Sequence, residues 1–160
     1  DSKLPDMQAG WEQMCSNVLA GLSGLNMAYE AAGMHASLLG FCHESLILGN
    51  DIIGQALRCV RGIEVDDETL ALEQMKEVCL GGSGHYLGTE ATLSRMEQDH
   101  VYPTMGDRTS PKEWAEKGKP DLIERATAMK ERILSERAAA RFDPATDAAI
   151  REAFRIHLPA

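Results

Sequence analysis

Leu25-Asn26-Met27-Ala28-Tyr29 is the stretch on which the reading of this chain turns. Gly24 and Gly33 bound it, it is too short for a stable helix, and a short buried strand is the reading that fits its apolar content. On its N-terminal side, Met7 to Leu22 carries Met7, Trp11, Met14, Cys15, Val18, Leu19 and Leu22 at the spacing of a one-faced helix, and Ser23-Gly24 stops it. Pro5 suits the N1 position of that helix, where its absent amide donor is one of the unpaired ones anyway. On the other side, beyond Gly33 to Gly40, a long helix is predicted from about His43 to Val60. Leu46, Ile47, Ile52, Ile53, Ala56, Leu57 and Val60 share one of its faces, and Gly62 terminates it. Helix, strand, helix leaves one strand whose amides and carbonyls need neighbours on both sides. No second strand is legible here, so the pattern is what an α/β sheet or barrel leaves when cut from its other strands. The opening Asp1-Ser2-Lys3, directly ahead of Pro5, is accordingly expected to mark a cut between a strand and its helix.

The charge changes sharply along the chain. Residues 1–62 hold 9 charged side chains and residues 63–160 hold the other 32, so the first part is expected to be mostly interior and the second mostly surface. The second part reads as helical from its caps. Acids at Val65-Asp66-Asp67-Glu68-Thr69 start a helix that carries Leu70, Leu72, Met75 and Val78 and ends at Gly81-Gly82. Thr89 caps another, and Ser110-Pro111-Lys112-Glu113 is a capping box with proline at N1. Pro120 opens a longer helix with Leu122, Ala126, Met129 and Ile133 on one face, and Asp143-Pro144 opens a last one to about His157. The expected fold class is therefore mostly α with one short strand.

Composition narrows the function. With 160 residues the chain suffices for one core, and a net charge of −9 without a Lys/Arg run leaves nothing to neutralise a phosphate backbone, which argues against nucleic acid. No stretch approaches the ~20 consecutive apolar residues of a membrane span, and no basic region precedes an apolar one at the N-terminus. A soluble, cytoplasmic protein is the expectation. Cys15, Cys42, Cys59 and Cys79 are well separated, with no C-x-x-C pair, and are expected to be reduced, buried thiols.

Several residues could carry chemistry, each beside a plainer alternative. Asp1, Ser2 and Lys3 stand before a helix and, on the strand reading, just after a strand; that loop is the functional rim of barrels and open sheets, the alternative being loop and cap residues. Tyr29 and Glu30 end the proposed strand. An aromatic face and a carboxylate there suit a cationic ligand, since a ring attracts an ammonium by roughly 0.5 to 2 kcal/mol; the alternative is a structural tyrosine with a solvated glutamate. Cys42 and His43, with His35 nearby, suggest a metal only loosely, because adjacent helical residues point about 100° apart, and structural roles are expected. His85 and Tyr86 lie in Gly81-Gly82-Ser83-Gly84-His85-Tyr86-Leu87-Gly88, where glycines permit a close approach. The string lacks the Lys-Ser/Thr of a phosphate loop and follows no strand, so a packing turn is its alternative. His100 and His157 read as surface residues.

Longer strings add a resemblance. DSKLPDMQAGWE (1–12), LNMAYEAAGM (25–34), RGIEVDDETLAL (61–72), GSGHYLGTEATL (82–93) and DRTSPKEW (107–114) together, and in this order, resemble the trimethylamine methyltransferase family over nearly the whole chain, to about Ala140. The resemblance implies a C-terminal portion of a larger enzyme, with residues 1–62 as the last units of a TIM (β/α)₈ barrel and 63–160 as a helical extension. A whole barrel takes ~250 residues, so this length cannot close one. It further implies methyl transfer from a methylated amine, such as trimethylamine or glycine betaine, to the cobalt of a corrinoid carried by a separate cognate protein. No cofactor is implied on this stretch itself, its catalytic residues stay unassigned, and the position that holds pyrrolysine in some members would lie upstream of Asp1. Assembly into a homo-oligomer is expected, and the rival expectation is a non-catalytic helical module for interaction or oligomerisation.

Overall fold

Asp6 opens the first helix. Its carboxylate accepts the N–H of Ala9 at 3.1 Å, and α1 spans Met7–Leu22, the range that the apolar spacing predicts. Pro5 stands one residue ahead of this cap, not at N1, because the aspartate side chain supplies what the first turn needs. The structure, a computed structural model, describes residues 2–136 and 142–154. By compactness the chain divides into residues 1–130 and 131–160.

After α1 the chain does not form the predicted strand. Residues 25–30 run as bends without a ladder partner, and the described strands are instead β1 (Met34–His35) and β2 (Gly40–Phe41), an antiparallel pair with Met34 opposite Phe41 and His35 opposite Gly40. The reason is one of pairing. A strand needs neighbours for its amides and carbonyls, and the segment's neighbour here is α1, whose Asn17 donates Nδ2–H to Ala31 O at 3.3 Å. Between β1 and β2 the turn holds Ala36, Ser37 and Leu38 at φ of 50°, 55° and 69°, three successive left-handed residues without a glycine. Ala36 N–H donates to Ser2 O at 2.9 Å and Cys42 N–H to Gly33 O at 3.1 Å, which fastens the hairpin at both ends.

Helix α2 (His43–Arg61) follows, and Gly62 at φ 72° ends it as expected. It packs on α1 and on the segment that leads into β1, with small residues at the closest approaches. Ser45, Gly49 and Ala56 are its buried positions; a methyl group on Gly49 would lie 2.4 Å from Ala32 Cβ, and one on Gly21 of α1 would lie 2.4 Å from Val60 Cγ2. The large apolar faces predicted to be buried are largely open: Trp11 is 61% exposed, Leu19 62% and Leu57 62%. The expectation that residues 1–62 form the interior is thereby corrected, since α2 comes closest to its neighbours at Gly49 and at Gly21 of α1 while the bulkier stripes face outward. The cysteines were expected to be buried, but Cys15, Cys59 and Cys79 are exposed and Cys42 is half-buried.

The remaining helices of residues up to 130 are α3 (Asp67–Leu70), α4 (Leu72–Cys79), α5 (Glu90–Asp99), α6 (Pro111–Glu116) and most of α7 (Leu122–Ser135). Where one helix was predicted before Gly81, α3 and α4 are separated by Ala71 at φ 48°, which interrupts the helical ladder. Ser110 and Glu113 form the expected capping box with Pro111 at N1, and Thr89 caps α5. Asp121 and Glu124 make a reciprocal pair at 2.8 Å each ahead of α7, so Pro120 precedes the cap instead of opening the helix. Side chains tie this part together. Asp51 of α2 accepts the N–H groups of Thr104 at 3.0 Å, Met105 at 2.5 Å and Gly106 at 3.2 Å. Arg58 Nε donates to Asp99 O at 2.8 Å and Arg61 to Gln98 O, closing the C-terminus of α5. Lys130 Nζ meets Glu44 Oε1 at 2.8 Å.

In residues 131–160, α8 (Pro144–Ala153) begins where predicted, with Asp143 accepting from Ala145 N and Thr146 N at 3.0 Å each. It ends earlier than predicted, at a Phe154 cap whose N–H reaches Ile150 O. His157 lies outside the described residues. Among the described residues no helix is long and apolar enough to cross a membrane.

Candidate functional site

The cleft that gathers three of the sequence-nominated residues lies between α1, the 28–31 bend and the hairpin turn. Its volume is ≈ 410 Å³, and Ser2, Tyr29 and Glu30 all line it, together with Glu12 and His35. Ser2 is its fixed corner, only 4% exposed. The Ser2 hydroxyl oxygen lies 2.8 Å from Leu4 O and 2.9 Å from Asp6 Oδ1, its one proton shared between them, and the Ser2 N–H donates to Glu12 Oε2 at 2.9 Å. The Asp6 carboxyl is held below its ordinary range first by the Ala9 amide and then by the Ser2 hydroxyl, so the cap stays ionised and keeps this corner rigid.

Tyr29 is 83% exposed at the cleft's rim. Glu30 is exposed beside it at φ 53°, a left-handed backbone that swings the chain from the bend toward the hairpin. Glu12 faces them from α1, where Gln8 Nε2 donates to its Oε1 at 2.8 Å. The exposed carboxylate of Glu30 and the ring of Tyr29, with no Lys or Arg among the lining residues, suit a cationic group such as an ammonium, while the Glu12 carboxylate is held by Gln8 and Ser2. His35 is 8% exposed, and its Nε2 lies 2.6 Å from Ser45 Oγ, so that nitrogen is engaged inside the fold.

The other nominated residues sit elsewhere. Lys3 is exposed and does not line the cleft, and Asp1 lies outside the described residues. His85 and Tyr86 belong to the turn between α4 and α5, far along the chain from these walls; Tyr86 Oη lies 3.6 Å from Cys79 Sγ, a contact that pushes the phenol's pKa up. His43 is exposed with its ring edge-on to Phe41 at 5.3 Å, and His100 is exposed as expected, its Nδ1 3.2 Å from Met96 O. Among the described residues no three His, Cys, Asp or Glu side chains converge as a metal site. Glu12 was not nominated from sequence, although a signal existed: it is the one charged residue in the α1 sequence.

A helical chain with an acidic, aromatic-rimmed cleft is compatible with many binding proteins, and comparison with known proteins narrows the class. Residues 1–156 match the model of the trimethylamine methyltransferase (MTTB) family, and the chain belongs to that family. It is 30% identical over 151 residues to the glycine betaine methyltransferase of Desulfitobacterium hafniense (strain Y51), covering 94% of this chain and 31% of that protein. It is 36% identical over 135 residues to the trimethylamine methyltransferase MttB2 of Methanosarcina mazei, covering 84% of this chain and 26% of that protein. The trimethylamine methyltransferase MttB of Methanosarcina thermophila is 34% identical over 122 residues, covering 76% and 24%. The chain thus spans a quarter to a third of the length of these relatives.

Proposed function

We propose that this chain is the C-terminal portion of a cytoplasmic methyltransferase that moves a methyl group from a methylated amine to the cobalt of a corrinoid on a separate protein. Residues 1–62 would be the last units of its TIM barrel and residues 63–160 its helical extension. The observation that carries the reading is the family match over residues 1–156, with relatives named for trimethylamine and for glycine betaine on either side of the substrate question.

The cleft supports it chemically. In-line displacement at a methyl carbon by cobalt requires no protein nucleophile, so the protein's task is to orient the ammonium and to stabilise its charge. Glu30 and Tyr29 offer that on one wall, and the remaining walls would come from the preceding barrel strands. Leu25–Tyr29 would then be a strand only when those neighbours are beside it.

The test is methyl transfer from trimethylamine and from glycine betaine to cob(I)alamin, followed by cobalt absorbance, with this chain alone and with it supplied as the C-terminal part of the full-length polypeptide. No turnover alone and turnover in the longer protein is the expected result. Turnover by these 160 residues alone would sink the portion reading. The exposed apolar stripes favour one second reading, a helical oligomerisation module. That reading is kept if the longer protein shows no methyl transfer while this chain still assembles.

A further inference from the structure

Cys42, Ser45 and His35 form a connected group at the start of α2 that the methyl-transfer reading leaves unused. Cys42 Sγ–H donates to Ser45 Oγ at 3.1 Å. Ser45 Oγ lies 2.6 Å from His35 Nε2; with its lone pairs receiving the thiol, the hydroxyl proton goes to that nitrogen, and His35 carries its own ring proton on Nδ1. The sulfur in turn accepts the Ser45 N–H at 3.3 Å as the cap of α2. Ser45 and His35 are 3% and 8% exposed, so the relay is shielded while Cys42 keeps a half-open face. A nucleophile, a base and a group that joins them at hydrogen-bond distance are the parts of an activated thiol, and the buried histidine base distinguishes Cys42 from the other cysteines.

We propose that Cys42 is a modification site, a nucleophilic thiol that takes peroxides and soft carbon electrophiles, with Ser45 passing its proton to His35. In the peroxide reaction Cys42 Sγ–H yields its proton to Ser45 Oγ as the Ser45 hydroxyl proton moves to His35 Nε2. The sulfur lone pair attacks one peroxide oxygen, the S–O bond forms and the O–O bond breaks. The departing hydroxide takes the proton from His35 and leaves as water. Sulfur is oxidised to a sulfenic acid and the peroxide is reduced.

The measurement is competitive labelling of the intact chain at pH 7 with iodoacetamide, each cysteine followed by peptide mass spectrometry. The relay predicts that Cys42 reacts about tenfold faster than Cys15 and Cys59, although these are more exposed. In urea the rates converge. His35→Gln and Ser45→Ala bring Cys42 down to the rate of Cys15 and leave Cys15 and Cys59 unchanged, with circular dichroism showing the helices retained. Dimedone trapping after dilute hydrogen peroxide is expected at Cys42 first. Rates that simply follow exposure, with Cys42 slower than Cys15 in the native wild-type chain, overturn the proposal without reference to any variant.

Discussion

Asp51 shows how much one side chain carries here. Its carboxylate takes the three successive amides of Thr104, Met105 and Gly106, charge-assisted bonds that a neutral side chain cannot match. Asp51→Ala is expected to lower stability by about 2 to 3 kcal/mol in urea unfolding, because the amides lose a charged acceptor. The Glu44 carboxyl gives a pH dependence with a definite sign. The Lys130 ammonium donates to it and holds it below its ordinary 4.5, so the pair's stabilisation is present above about pH 4.5 and is lost as the pH falls through the lower folded-state value. The stability gap between the wild type and Glu44→Gln should therefore be largest at neutral pH and close as acid is added; a gap that widens on acidification would refute the assignment. In the cleft, if the proposed methyl transfer holds, Tyr29→Ala in the full-length protein is expected to raise the KM for the methylated amine about threefold to thirtyfold, as the loss of one ring–cation contact would, with kcat less affected.

The helices make a sharper statement as elements, because two glycines of α2 should respond oppositely to the same substitution. Gly49→Ala drives a methyl into Ala32 and should destabilise by about 1 to 3 kcal/mol. Gly54→Ala meets nothing within 4 Å and should stabilise by about 0.4 to 1 kcal/mol, by helix propensity and a less flexible unfolded chain. Thermal unfolding of the two variants reads both. This contrast also marks what was legible beforehand. The bounds of α1, the stop at Gly62 and the Ser110 box follow from local chemistry, caps and periodicity, and sequence carries that directly. The face of α1 that packs on α2 does not follow, because the pattern rewards large side chains while the closest approach comes at Gly21, against Val60. Leu25–Tyr29 reads as a strand from length and composition, yet pairing is a property of neighbours. Ala71, which splits α3 from α4, carries no sequence signal of a break at all. In the candidate site Ser2, Tyr29 and Glu30 stand together as the sequence suggested they could, whereas Glu12 joins them only through the rotation of α1, which its being the one charged residue there hints at without fixing.

As a whole molecule the chain presents Met7, Trp11, Leu19, Leu22 and Met27, each more than half exposed, on its first part, and patches of this kind mark contact with another surface. Light scattering of the purified chain should give a mass well above 17.5 kDa, and Trp11→Ser with Leu19→Ser should return it toward the monomer; a monomer in the wild type would remove the assembly expectation. The hairpin has a different consequence. Three left-handed non-glycine residues in a row cost on the order of 1 to 2 kcal/mol each, and the turn is held by the Ala36 amide on Ser2 and the Cys42 amide on Gly33. Those two protons are in effect native reporters, since solvent deuterium reaches them only when the clasp opens. Their exchange lifetimes by NMR would time the breathing of one cleft wall without any label, one amide clocking the Ser2 side and the other the thiol side.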